Sequence, residues 1–259
     1  MMDSEGPLPG LQDIRDAAQH LVDARKNGRP LAEMPTGLAP RSVAQAYAIQ
    51  DEIISHLGDA GGWKIAPRPN GGEFLCSPIP KSFYFGQHVR IGPSGLIAPE
   101  IEMEIAIRIG SDLPSKPDQY SVEEVMEAVA SLHPIFEVLS SRFANRKLAD
   151  PLSNIADLQS CGAVVVGPAC RDWKQVEMSV IPLAMQIDGR EVGSVAGGAS
   201  SHHVFAALTW LANHAVARNG GLRAGQVIIT GARVSPVAVT AGAQVTGAAG
   251  MLGELATVV

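Results

Sequence analysis

The stretch PEIEMEIAIRIG, residues 99–110, alternates strictly between hydrophobic and polar positions. Because successive side chains of a β-strand point to opposite faces, the alternation predicts a strand with one apolar face. The other face would carry Glu100, Glu102 and Glu104, and like charges on one strand face repel each other. Two explanations stay open: a solvated face opposite basic side chains, or a divalent cation, which prefers oxygen ligands.

Apolar residues at helical spacing predict four helices. Ser42 is a favourable N-cap for the second helix, and Ser121 with Glu124 forms a capping-box pattern at the start of the third. Gly28 and Gly58 are suitable ends for the first two helices. The four helices are predicted at residues 11–27, 43–57, 121–132 and 203–218.

Short apolar runs between turn segments predict further strands. These runs are HPIFEVLSS, GAVVVG, VIPLAMQI, QVIITG and PVAVTAG, followed by a short strand toward Val259. Strands and helices alternate irregularly, which argues against a doubly wound parallel sheet. We expect an N-terminal helical region, residues 1–60, and a β-rich domain, residues 61–259, that forms one compact unit.

Composition narrows the functional class. The 259 residues are 46% hydrophobic and include 27 glycines, as expected of a globular α/β protein with many turns. A net charge of −6 without a basic run argues against nucleic acid or an anionic membrane as the partner. The sequence shows no secretory signal and no stretch of transmembrane length, and its three cysteines lack paired spacing. We therefore expect a cytoplasmic protein that acts on small molecules.

Glu137 is the one acidic residue in the apolar run HPIFEVL. A lone buried carboxylate is costly unless it is paired or binds a metal. If its strand lies beside the alternating strand, Glu137 joins Glu102 and Glu104 in a site suited to Mg²⁺ or Mn²⁺. Pairing with Arg142 or Lys147 explains the spacing equally well.

Seven motifs follow one another along the chain: AYAIQDE, GWKIA, PEIEMEIAI, PIFEVLSSR, IADLQSCGAVVVG, WLAN and AGQVIITGA. In their order and spacing, the chain resembles the 2-keto-4-pentenoate hydratase and 4-oxalocrotonate decarboxylase branch of the fumarylacetoacetate hydrolase superfamily. The resemblance implies an α/β (α+β) fold, a mixed, curved β-roll with peripheral helices. It also implies a homo-oligomer, with a complex with a paired pathway enzyme as a further option.

The same resemblance implies a metal-dependent lyase that acts on a small 2-oxo acid in the catabolism of aromatic compounds. Glu102, Glu104 and Glu137 match the three carboxylates that hold Mg²⁺ or Mn²⁺ in that family. Lys64, in GWKIA, matches a lysine that lines the active site. The expected reaction is the hydration of 2-hydroxypenta-2,4-dienoate-type substrates to 4-hydroxy-2-oxo acids.

The chain departs from the family pattern at its acid–base groups. Lys81 stands about where the family has an aspartate, and we take it as a candidate catalytic residue with Lys64 and Ser160. Ser160 could contact the substrate, although a structural serine is as good an explanation. Four functions therefore stay open: a hydratase, a 4-oxalocrotonate-type decarboxylase, an acylpyruvate hydrolase, and a non-catalytic partner subunit of a hydratase and decarboxylase complex. The loop from Pro67 to Cys76 has no histidine, which disfavours the hydrolase.

Overall fold

The computed structural model describes residues 10–67, 74–92 and 94–259. Residues 1–9 of the expected helical region and most of the loop from Pro67 to Cys76 lie outside the described residues. The helices are Leu11–Asn27 (α1), Val43–Leu57 (α2), Val122–Glu127 (α3), Pro151–Ala156 (α4) and Ser201–Asn219 (α5). The strands are Ala60–Ala66 (β1), Leu75–Pro80 (β2), Tyr84–Gly86 (β3), Glu100–Ile109 (β4), Leu113–Pro114 (β5), Val129–Leu139 (β6), Cys161–Val166 (β7), Leu183–Ile187 (β8), Arg190–Val195 (β9), Gly221–Leu222 (β10), Val227–Ile229 (β11), Val234–Ala238 (β12), Gln244–Ala248 (β13) and Glu254–Val258 (β14).

The caps that the sequence indicates are formed. The Ser42 side chain accepts a hydrogen bond from the Gln45 backbone at the start of α2, and Ser121 and Glu124 form a capping box at α3. The expected third helix is wrong beyond Glu127, because β6 begins at Val129. β6 pairs with β4 along nearly its whole length, and this long-range pairing outweighs the local helical pattern.

The main sheet combines parallel and antiparallel strands. Its order is β2-β1-β11-β4-β6-β7-β3, with β12 also paired to β4. β1 and β11 run parallel, as do β3 and β7, whereas β4 is antiparallel to both β11 and β6. A second sheet has the order β14-β13-β8-β9, and β10 pairs with β5. The expectation of a mixed, curved α+β sheet is confirmed, and a doubly wound parallel sheet is excluded.

The main sheet curls until β3 at one end approaches β1 near the other. The Tyr84 hydroxyl of β3 donates to the Val227 backbone oxygen at 2.8 Å, across the position of Gly62 in β1. A Cβ atom on Gly62 would lie 1.9 Å from that oxygen and 2.4 Å from the Tyr84 hydroxyl. Only glycine fits between these two neighbours, so this residue permits the curl.

Both faces of the main sheet are covered. On one face, Leu21 of α1 and Ile49 of α2 share a core with Ala106 and Ile135 of the central strands. The other face, with Met103 among its residues, packs against α5 and the second sheet. Glu102 and Glu104 of β4 therefore lie between packed layers and not on a solvated face, whereas Glu100 at the start of the strand is partly exposed. The division of the chain into a helical region and a β-rich domain after residue 60 stays a proposal. None of the described helices has the length and hydropathy to cross a membrane.

Candidate metal centre

Strand register brings three carboxylates together. β4 and β6 are antiparallel, and Glu102 lies directly opposite Glu137, while Glu104 is two residues further along the same face of β4. One oxygen from each of the three carboxylates lies within 4.8 Å of the others. Glu104 and Glu137 are fully buried, and Glu102 is 4% exposed.

Lys64 and one backbone amide contact this cluster. The Lys64 Nζ atom, carried by β1, lies 2.6 Å from Glu137 Oε2 and 3.7 Å from Glu102 Oε1. The Gly231 backbone N–H, just after β11, donates to Glu104 Oε2 at 2.7 Å. Two neighbouring strands thus supply one positive charge and one neutral donor for three carboxylates.

Two carboxylate oxygens keep no partner. Glu104 Oε1 and Glu137 Oε1 are buried and make no hydrogen bond within the part of the chain that the structure describes. Buried acceptors without partners are rare because they lose hydration without replacement. Three converging carboxylates, with two orphaned oxygens among them, fit a hard divalent cation.

The electrostatics of the cluster agree with this donor set. Burial raises the pKa of Glu104, and the neighbouring charges of Glu102 and Glu137 raise it further. Burial also raises the pKa of Glu137, although Lys64 opposes the shift. Burial disfavours the charged form of Lys64, yet the three carboxylates together raise its pKa above the ordinary value. The lysine therefore keeps its proton, and a cation and protons compete for the same carboxylate oxygens.

Arg233 and Cys161 also lie at the centre, although no pattern in the sequence marks them as site residues. Burial lowers the pKa of Arg233, and Glu104 opposes this shift. The guanidinium donates to the Met178 and Ala199 backbone oxygens. Burial and then the Glu137 charge raise the pKa of the Cys161 thiol, which keeps that thiol protonated.

Ser160 lies in an unusual turn beside the centre. Leu158, Gln159 and Ser160 have φ angles of 49°, 49° and 64°, in the left-handed region that residues with a Cβ atom seldom adopt. Ser160 is buried and directly precedes Cys161. Its contact with a substrate stays a prediction.

A buried ion pair fixes this turn. Arg142 pairs with Asp157, and its Nη1 atom donates to the Cys161 backbone oxygen at 2.8 Å. Asp157 also accepts from the Ser141 hydroxyl at 2.8 Å, and its backbone oxygen accepts from the Ser160 backbone N–H. Arg142 is thus occupied by Asp157, and the basic partner of Glu137 is Lys64. The alternative in which Glu137 pairs with Arg142 or Lys147 is wrong.

The structure does not bring Lys81 to the carboxylates. In the antiparallel pair of β1 and β2, Lys64 lies opposite Ser77, and Ala60 lies opposite Pro80. Lys81 follows Pro80 in an exposed 3-10 turn, about 13 Å along the strand direction from the level of Lys64. The predicted acid–base role of Lys81 does not fit this separation from the carboxylates.

A family model for the C-terminal part of fumarylacetoacetate (FAA) hydrolase matches residues 74–259, which include all three glutamates. The chain belongs to the fumarylacetoacetate hydrolase family. This membership confirms the resemblance that the seven motifs indicate. Lys64 lies before the matched region, although in the structure it contacts two of the three glutamates.

Similar proteins fall in the hydratase and decarboxylase branch of this family. A 2-keto-4-pentenoate hydratase from Paraburkholderia xenovorans (strain LB400) is 29% identical over 248 residues, covering 89% of each chain. A 4-oxalocrotonate decarboxylase from Pseudomonas putida is 31% identical over 246 residues, covering 91% of this chain and 92% of that protein. The 4-oxalocrotonate decarboxylase from Pseudomonas putida G7, complexed with magnesium and adipate, has the same fold, with a TM-score of 0.84. That structure is 23% identical and covers 97% of this chain and 99% of its own.

Proposed function

We propose that this protein is a divalent-metal-dependent lyase that hydrates 2-hydroxypenta-2,4-dienoate-type substrates to 4-hydroxy-2-oxo acids. The observation that carries the proposal is the buried cluster of Glu102, Glu104 and Glu137 with Lys64, in a chain similar to known hydratases over most of its length. Enzymes of this kind act in the catabolism of aromatic compounds, and we propose the same setting here.

Glu102, Glu104 and Glu137 would hold the ion, and we propose Mg²⁺ or Mn²⁺ because the donor set consists of hard carboxylate oxygens. When bound, such an ion supplies Lewis-acid stabilisation of negative charge that develops on a 2-oxo acid. The burial of the cluster excludes water from the ligands, which strengthens every electrostatic interaction within the site.

The residues around the ion would hold and move protons. Lys64 keeps a proton on Nζ in the metal-free protein, so there it is a hydrogen-bond donor and not a base. The Ser160 hydroxyl is our candidate for orienting a substrate, and the Arg142–Asp157 pair fixes the turn that carries it. The Gly231 N–H orients Glu104 by binding one of its oxygens.

Decarboxylation of a 4-oxalocrotonate-type substrate is the second candidate function. It is favoured by the 31% identical decarboxylase and by the close agreement in fold with a decarboxylase structure. Charge stabilisation and one proton donor suffice for this reaction, and Lys64 would supply the proton.

We also propose that the protein is a cytoplasmic homo-oligomer, with a paired pathway enzyme as a further partner.

The test is turnover of 2-hydroxypenta-2,4-dienoate and of 4-oxalocrotonate by chelator-treated protein, with and without added Mg²⁺ or Mn²⁺. Metal-dependent loss of the dienol absorbance, with formation of the 4-hydroxy-2-oxo acid, is the expected result. Metal-dependent CO₂ release from 4-oxalocrotonate alone would establish the decarboxylase instead. Absence of turnover on both substrates by the metal-loaded protein would overturn the assignment and favour a non-catalytic partner subunit.

A further inference from the structure

A polar cavity lies apart from the carboxylate cluster of the metal centre. Its volume is about 540 Å³, and Lys81, Arg108, Arg223, Asp59 and Tyr84 are among its lining residues. Neither Lys64 nor any of the three glutamates lines it. Three basic side chains and one acidic side chain thus line the cavity, whereas the metal centre has three carboxylates and one lysine.

Strand geometry separates the two sites. Arg108 lies on β4, four residues after Glu104, and both side chains project from the same face of the strand. At the rise of an extended strand, four residues span about 13 Å. Ala106 lies between them, in a core that also contains Ile229. Packed apolar side chains therefore lie between the basic cavity and the carboxylate cluster.

Arg108 is held in place by neutral groups. Its Nε atom donates to His133 Nε2 at 3.3 Å, and its Nη1 atom donates to the Gly225 backbone oxygen at 3.1 Å. His133 Nε2 is thus an acceptor, so the ring proton is on Nδ1, which lies 2.9 Å from the Gly167 backbone oxygen. Burial lowers the pKa of His133, which agrees with a neutral ring.

This arrangement orients the guanidinium without cancelling its charge. Arg108, Lys81 and Arg223 form no salt bridge within 4.0 Å among the described residues. An oriented but unneutralised arginine, with further cations around one cavity, is the usual way in which proteins bind carboxylate or phosphate groups.

We propose that this cavity is a second binding site, separate from the metal centre, for a small dianion that carries carboxylate or phosphate groups. Arg108 is the central ligand, with Lys81 and Arg223 as the flanking cations. The volume is within the range of sites that hold small molecules. The site does not depend on a metal, so it binds its ligand equally well in chelator-treated protein.

The test is isothermal titration of chelator-treated full-length protein with inorganic phosphate and, separately, with succinate, at constant ionic strength. The ionic strength is fixed because salt screens exposed charges. We expect saturable binding of one equivalent by the wild-type protein, and an Arg108→Gln variant that binds about tenfold more weakly or worse. Arg223→Gln, a change at an exposed side chain, should weaken binding in the same direction without affecting the fold.

The matched control is Arg171→Gln, which removes an exposed arginine that does not line the cavity and should leave the affinity unchanged. Binding of phosphate alone or of succinate alone supports the proposal and identifies the group that the site takes. The proposal is overturned if neither anion binds saturably, if Arg108→Gln and Arg223→Gln both bind like the wild-type protein, or if Arg171→Gln weakens binding as much as they do.

Discussion

At the metal centre, the one lysine has more partners than the carboxylates around it. Lys64 contacts two carboxylates, whereas Glu104 and Glu137 each keep one buried oxygen without a hydrogen bond among the described residues. The positive charge of Lys64 therefore lies close to the position that a cation would take. In the proposed mechanism Lys64 therefore has two opposing effects, because it would repel the metal ion and would supply a proton.

Replacing Lys64 with methionine should separate these two effects. We expect Lys64→Met to bind Mg²⁺ or Mn²⁺ at least as tightly as the wild-type protein, because a competing positive charge is removed. Turnover should fall by about 100-fold or more, the usual contribution of a positioned proton donor. Metal titration and steady-state kinetics on the same preparations check both values, and undiminished turnover would exclude Lys64 from the chemistry.

The Arg142–Asp157 pair should contribute to stability more than an exposed pair does. Asp157→Asn leaves the charge of a buried arginine unpaired, so we expect a loss of about 3–5 kcal/mol in the free energy of unfolding, measured in urea. Arg15→Gln, which removes the exposed partner of Glu52, is the control and should cost less than about 1 kcal/mol. Equal losses in the two variants would contradict the role given to the buried pair.

The sequence was sufficient to nominate the three glutamates but not to place Lys81. Strict alternation puts Glu102 and Glu104 on one face of β4, and Glu137 is the one acid in an apolar run, so local pattern and the resemblance agree. Lys81 stands in the sequence about where the family has an aspartate, whereas its position in space depends on the register of β2 against β1. Arg233 reaches the centre only through the three-dimensional arrangement of its loop, and no local pattern marks it.

At the level of elements, the main sheet depends on close approaches that side chains would block. β1 lies between β2 and β11, and Tyr84 of β3 reaches across it to the Val227 backbone. β1 also carries Lys64, two residues after Gly62. The position of Lys64 is therefore tied to the tight packing at this glycine.

Gly62→Ala should strain this packing. The added Cβ atom would meet the Val227 backbone oxygen at 1.9 Å, so we expect the free energy of unfolding to fall by about 1–3 kcal/mol or more. Gly86→Ala, at the end of β3, is a matched control because a Cβ atom there meets nothing within 4 Å. Its effect should stay within about 0.5 kcal/mol in thermal or urea unfolding. Comparable losses for both variants would contradict the close approach.

Element boundaries show what local patterns can predict. Residues 11–27 and 43–57 were predicted as helices and are α1 and α2, because helical spacing and caps coincide there. The helix predicted at 121–132 stops at Glu127, since the residues from Val129 onward pair with β4. The strand order of the main sheet joins segments far apart in the chain, so periodicity could not predict it, and the resemblance implied only a mixed, curved β-roll.

At the scale of the whole molecule, metal binding, protonation and folding are linked. Because the pKa values of Glu104 and Glu137 are raised, the metal-free folded protein still binds protons at pH values at which the same glutamates are ionised in the unfolded chain. The stability of the metal-free protein should therefore fall as the pH rises from the ordinary glutamate pKa toward these raised values. A bound cation replaces the protons and should remove this loss.

The affinity for the metal should accordingly rise with pH, because carboxylates must lose their protons before they bind a cation. We expect tighter Mg²⁺ or Mn²⁺ binding at about pH 8 than at about pH 6, together with proton release. Isothermal titration in buffers of different ionisation enthalpy measures both quantities. Binding that is independent of pH and releases no protons would show that the ion lies elsewhere.

The most direct test of the central claim compares two glutamates on the same face of β4. Glu104 belongs to the buried cluster, whereas Glu100 lies outside it and pairs with Arg146 at 2.6 Å. The measurement is the rate of consumption of 2-hydroxypenta-2,4-dienoate at saturating Mg²⁺ by the wild-type protein, Glu104→Gln and Glu100→Gln. We predict that Glu104→Gln loses metal-dependent turnover while Glu100→Gln keeps it. Full turnover in Glu104→Gln would contradict the assignment of the metal centre.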